Sequence, residues 1–214
     1  MHNFSEIIAQ AENIFEARTK ARDQALMQAR QLTRLSAHTI RAIHRSEVDQ
    51  AHALLDEARV IVEALKKDLA DFPDLYFAGY TQDAIKEFAE ASTTCALIEN
   101  EPLPMPEGLG IEISTYINGL AEAIGELRRR CLDILRQGYS EEAERLLGEM
   151  DEIYNFLVTM DYPDAVTNGL RRQTDLARGI IERTRADLTM SLREQHLQEA
   201  LQEFANRFPG MKPE

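Results

Sequence analysis

The chain has 214 residues, of which 44% are apolar and 29% charged, with a formal charge of −13. A chain this long buries roughly 70% of its unfolded surface without disulfide or metal staples, and its composition excludes intrinsic disorder. A pI near 4.9 argues against non-specific coating of nucleic acid, which rests on neutralising phosphates; only local basic stripes are left for that task.

Glycine and proline are scarce, at 10 and 7 residues, whereas the strong helix formers Ala, Leu, Glu, Arg and Gln abound. No stretch of strand length alternates apolar with polar residues, so an all-α, single-domain antiparallel bundle of about six to seven helices is predicted over residues 1–208, with a frayed tail at 209–214. The first helix runs from Phe4 to His44. Ser46, with Asp49 three residues on, reads as the N-cap of a second that ends near Ala70, before Asp71-Phe-Pro-Asp74. Thr81 is expected to cap a third, reaching Ile98. The segment Asn100 to Gly110 holds three prolines and two glycines and reads as a loop. Ser114 opens a fourth helix to Gln137, and Ser140, followed by Glu141 and Glu142, caps a fifth ending near Met160. After Asp161-Tyr-Pro-Asp164 a last helical region extends to Phe204, with a break at Gly169. The two Asp-aromatic-Pro-Asp stretches punctuate two similar helical hairpins, but no longer period recurs often enough for a solenoid.

No apolar run approaches the ~18 residues of a membrane span, and Met1-His-Asn-Phe-Ser-Glu6 lacks the basic and apolar regions of a secretory leader. Cys95 and Cys131 form no Cys/His cluster and sit among apolar residues, as core thiols do. A reducing cytoplasmic location without membrane contact is therefore expected.

The helical faces carry the functional signal. On the fourth helix Tyr116, Ile117, Leu120, Ile124, Leu127, Cys131 and Leu135 share one side; Glu122, Glu126, Arg129 and Asp133 share the other. Glu122 and Glu126, four apart, are neighbours and repel each other. On the third helix Asp83, Glu87 and Glu90 form one stripe, opposite Ala84, Phe88, Ala91 and Cys95. Two such helices side by side present four carboxylates, hard oxygen ligands suited to Mg²⁺ or Mn²⁺. Such an ion activates water against a phosphodiester. The alternative is a solvated acidic face, the commoner fate of such pairs. Di-iron chemistry needs Glu-x-x-His pairs, and the sequence has none.

A second constellation is basic. Arg30, Arg34, His38, Arg41 and Arg45 occupy an arc of about 80° along roughly 22 Å of the first helix. They either track a phosphate backbone or pair with acids of a neighbouring helix. Neither a nucleophile elbow nor a phosphate-binding Gly-rich loop is present.

Tyr116-Ile-Asn-Gly-Leu-Ala-Glu-Ala-Ile-Gly-Glu-Leu-Arg128, then Gly138-Tyr-Ser-Glu-Glu-Ala143 and Tyr154-x-x-Leu157, resemble the translin family, as does the run from Asp161 to Arg178. The resemblance spans most of the chain, and its sharp motifs cover residues 81–190. It implies a seven-helix fold assembled into a hollow homo-octameric barrel that binds single-stranded RNA or DNA inside. In the branch of translin-associated factor X it implies a Mg²⁺-dependent endoribonuclease. That branch carries Glu-x-x-Glu in one helix, matched here by Glu87 and Glu90. It carries an acid four residues before the Glu of Gly-Glu-Leu in the next, matched by Glu122 and Glu126. The resemblance thus assigns Glu87, Glu90, Glu122 and Glu126 as metal ligands and catalytic carboxylates. On that reading Arg30, Arg34, Arg41 and Arg45 hold phosphates and Arg129 offsets charge developing on the phosphoryl oxygen. One departure is that Glu122 replaces an Asp, and the extra methylene moves the ligand by roughly one bond length. The alternatives are a non-catalytic single-stranded nucleic-acid-binding oligomer and a helical scaffold that shares the fold alone.

Overall fold

The computed structural model describes residues 3–207; the tail expected to fray at 209–214 lies outside them. Those residues are helical almost throughout and contain no strand. The helices are α1 (Phe4–His44), α2 (Val48–Asp68), α3 (Pro73–Tyr76), α4 (Gly79–Glu99), α5 (Pro106–Leu109), α6 (Ile113–Leu135), α7 (Glu141–Thr159), α8 (Asp164–Thr167) and α9 (Leu170–Arg207). The six long helices are those expected. The additional three are single turns, and two of them arise directly at the Asp-aromatic-Pro-Asp stretches, where the chain reverses. The third, α5, lies inside the segment read as a loop: Pro106 at its first turn needs no amide partner, and Gly110 closes it at φ +70°.

Two of the expected caps are not caps. Ser46 has φ +61° and ends α1 in the left-handed region, so α2 starts two residues later behind Glu47. Thr81 lies inside α4, which begins at Gly79, and its hydroxyl donates to the Leu75 carbonyl at 2.9 Å. Ser140 does cap α7, accepting from the Glu142 amide at 3.2 Å. The break at Gly169 is present, with Asn168 and Gly169 both at positive φ before α9.

The chain divides into two compact units, one of residues 3–120 with 166–168 and one of 121–165 with 169–207. In the first, α1 packs on α2 and α4. The ends of α1 and α4 meet the start of α2 around buried Ala42, Ile43, Ala51 and Cys95, so α1 and α4 run in one direction and α2 against them. Gln28 donates to Asp68 at 2.8 Å where α2 ends. Arg18 reaches on to pair with Asp74 and lies 5.9 Å from the Phe72 ring centroid. In the second unit α7 packs on α9. Arg128 of α6 is tied to α9 through Thr184 at 3.0 Å and Asp187 at 2.9 Å. No helix among the described residues is long and apolar enough to cross a membrane.

Candidate functional site

The apolar faces read from the sequence are the buried ones, save that Leu135 at the end of α6 is only half-buried. Ala84, Phe88, Ala91 and Cys95 of α4 are buried, as are Tyr116, Ile117, Leu120, Ile124, Leu127 and Cys131 of α6. Burial pushes the Cys95 thiol up to about 12 and Cys131 up to about 11, so both are inert neutral thiols.

The acids divide into two groups. Asp83 and Asp133 are exposed, whereas Glu87, Glu90, Glu122 and Glu126 are all half-buried. A solvated face does not make that distinction. For Glu87 and Glu90 it goes with close backbone packing around Gly119 in the first unit. A methyl group added there would stand 2.7 Å from the Ala89 Cβ, 2.8 Å from the Lys86 carbonyl oxygen and 2.9 Å from the Glu90 nitrogen. Only glycine lets α6 lie this close to the Lys86–Glu90 turn of α4, the turn that carries both Glu87 and Glu90. Along α6, one unbroken helix, Glu122 follows Gly119 by three residues and Glu126 by seven.

In the second unit Glu122 and Glu126 have different surroundings. The Gln173 amide, from the first turn of α9, donates to Glu122 Oε1 at 2.7 Å. Glu126 receives Arg129 at 3.4 Å, and Arg129 itself is exposed. Glu87 and Glu90 in the first unit and Glu122 in the second are each half-buried carboxylates. Carboxylates are hard oxygen donors, a chemistry that fits Mg²⁺ or Mn²⁺ rather than Zn²⁺. Gln173 was not singled out from the sequence, because nothing in the spacing of α9 marks a glutamine that reaches another helix.

Arg30, Arg34, Arg41 and Arg45 are exposed on α1 along with His38. Among the described residues none of the four forms an ion pair, although most arginines elsewhere do, including Arg18, Arg128, Arg145 and Arg185. The stripe is therefore not neutralised by acids of a neighbouring helix.

No family model matches the sequence. An uncharacterised protein of Methanocaldococcus jannaschii is 35% identical over 192 residues, which cover 88% of this chain and 84% of that one. Among solved structures, AfC3PO in complex with duplex RNA aligns at TM-score 0.81 and 32% identity, over 87% of this chain and 97% of that one. AfC3PO alone aligns over the same shares at TM-score 0.81 and 31% identity. NeC3PO, at 19% identity, TM-score 0.77, and coverage of 89% and 98%, shares the fold.

Proposed function

The chain belongs to the translin family, and on that premise we propose that it is a Mg²⁺- or Mn²⁺-dependent endoribonuclease. It would act on single-stranded RNA inside a homo-oligomeric, octameric barrel. The observation that carries this reading is the half-burial of Glu87, Glu90 and Glu122, beside acids of the same stripes that are exposed. The complex of AfC3PO with duplex RNA supports the nucleic-acid part of it.

A bound divalent cation would supply a positive centre that polarises water and draws charge from the phosphodiester. Glu87, Glu90 and Glu122 would hold it, with Glu126 completing the acidic lining while Arg129 balances its charge. Arg129, which is exposed, would offset negative charge developing on the phosphoryl oxygen. Arg30, Arg34, Arg41 and Arg45 would hold the phosphates of the strand and fix its register. Assembly is supported by the exposed apolar residues of the two longest helices: Ile7, Ile8, Ile14 and Phe15 on α1, and Met190, Leu197 and Leu201 on α9. Residues of that kind are expected against another copy rather than in water.

The second reading is a non-catalytic oligomer that binds single-stranded RNA or DNA. It is favoured by the unpaired arginine stripe, which serves binding without any chemistry. Labelled RNA separates the two readings. Glu122→Gln is expected to abolish cutting and leave the gel shift intact, whereas Arg34→Ala/Arg41→Ala weakens binding and flattens its salt dependence by about one unit per lost phosphate contact. Cutting by Glu122→Gln at the wild-type rate would show that the ligand set is wrong.

A further inference from the structure

We propose that His38 is a fifth phosphate contact in the α1 stripe, one that engages RNA in its protonated form, so that the strand is held more tightly as pH falls. This rests on the reading of Arg30, Arg34, Arg41 and Arg45 as phosphate contacts and is independent of the cation site.

Arg30 and Arg34 are one helical turn apart, as are Arg41 and Arg45, about 6 Å along α1 in each case. Between the two pairs the step is two turns, about 10 Å. His38 stands in that step, four residues after Arg34 and three before Arg41, on the same exposed side. With it, every turn of α1 from Arg30 to Arg45 presents a nitrogen donor; without it the stripe is two separate pairs. A nucleic-acid strand carries a phosphate at every nucleotide, and an unbroken row of donors follows such a strand better than two pairs with a gap between them.

The surroundings of His38 leave its ring open to a ligand. It is exposed, and among the described residues none hydrogen-bonds or ion-pairs with it. His52 of α2 is different: its Nε2 meets both oxygens of Glu99, each at 3.0 Å. Of the helices packed on α1, α2 brings Asp56 and Glu57 level with His38 and α4 brings Glu90, and none of the three pairs with it. The charged groups beside it on α1 itself are Arg34, Arg41 and, two turns on, Arg45. Guanidinium groups stay charged throughout the accessible pH range, whereas an imidazole gains its charge and a second N–H donor as pH falls through about 6.5. A phosphate held between Arg34 and Arg41 is both an acceptor and a negative charge, and on both counts it favours the imidazolium. Proton uptake and RNA binding are thereby linked, and each strengthens the other by the same factor.

The test is binding of cyanine-labelled oligouridylate, whose bases do not titrate between about pH 5.5 and pH 8, to the full chain in EDTA, which prevents metal-dependent cutting. The slope of log affinity against log salt counts phosphate contacts, at about 0.7 per contact on a single strand. For the wild type it should be steeper at pH 5.5 than at pH 8 by about 0.7, with tighter binding. His38→Gln, neutral and a good helix former, should show no such increment, and His38→Arg should show the steep slope at both pH values. The change of net charge with pH is common to all three proteins, so the increment is read as the difference between them. Helicity is followed in each, and the arginine variant carries the test if the glutamine variant does not fold. If the wild type shows no increment, or either variant retains it, His38 is not a phosphate contact and this inference alone falls. If the wild type binds at neither pH, or Arg34→Ala/Arg41→Ala binds as the wild type does, the phosphate reading falls and takes the inference with it.

Discussion

Asp83 and Glu87 share one stripe of α4, yet only Glu87 is half-buried. Helical periodicity assigns both to the polar side, and it does so correctly. What it cannot express is how near a second helix lies at each turn, and here a single glycine sets that distance. One partner of Glu122 was equally hidden, because Gln173 lies 51 residues away and its contact depends on where α9 begins. The cysteines were legible from their neighbours alone: each sits on an apolar helical face, and each is buried. Their thiols are raised from 9.0 to about 12 and about 11 by loss of solvent. At pH 8 neither should react with a disulfide reagent in the native protein, and both should react within minutes once the chain is unfolded. Rapid native labelling would contradict their burial. The same shifts carry a sign for stability. The folded state holds these protons above pH 9 where the unfolded chain releases them, so the thiols lower stability as pH rises beyond about 9.

At the level of the helices, the long elements followed from composition and face, and α1 has the expected bounds from Phe4 to His44. The misread starts at Ser46 and Thr81 have a common cause. A hydroxyl residue ahead of an apolar run can cap the following helix, terminate the preceding one, or bond backward to a carbonyl, and local spacing does not choose among these. Gly119 offers the sharpest test of an element. In an open helix, Gly→Ala raises stability by about 1 kcal/mol through propensity. Here the added methyl would press on the α4 backbone, which no change of rotamer relieves, so the sign should reverse. Gly119→Ala is expected to lose about 1–3 kcal/mol, as overpacked cores do, and to lose metal-dependent cutting with it. Chemical denaturation measures the first. A variant as stable as the wild type would mean that the two helices do not approach as closely as described.

For the molecule as a whole, the net charge of −13 and a nucleic-acid ligand are compatible if the acidic groups face away from the strand and the α1 arginines toward it. The family was legible because its motifs are helical faces with fixed acids and glycines, and Gly119 and Gly125-Glu126-Leu127 belong to them. Assembly was not legible from the residues, since an exposed Ile and a buried one look alike in a periodic pattern. Replacing Ile7 and Ile8 by Asp should shift the protein on size exclusion from several times 24.3 kDa toward a single chain, with helicity retained. An unchanged elution position would place the interface elsewhere.

The proposed function requires that cleavage of RNA depend both on a divalent ion and on the glutamates assigned to hold it. The most direct measurement incubates 5′-labelled single-stranded RNA with the wild type in Mg²⁺ and in EDTA, with Glu87→Ala/Glu122→Ala run alongside. Cleavage is expected from the wild type in Mg²⁺ only, and none from the double variant. RNA that is retarded but intact in Mg²⁺, or cleavage that survives the loss of both glutamates, would contradict it.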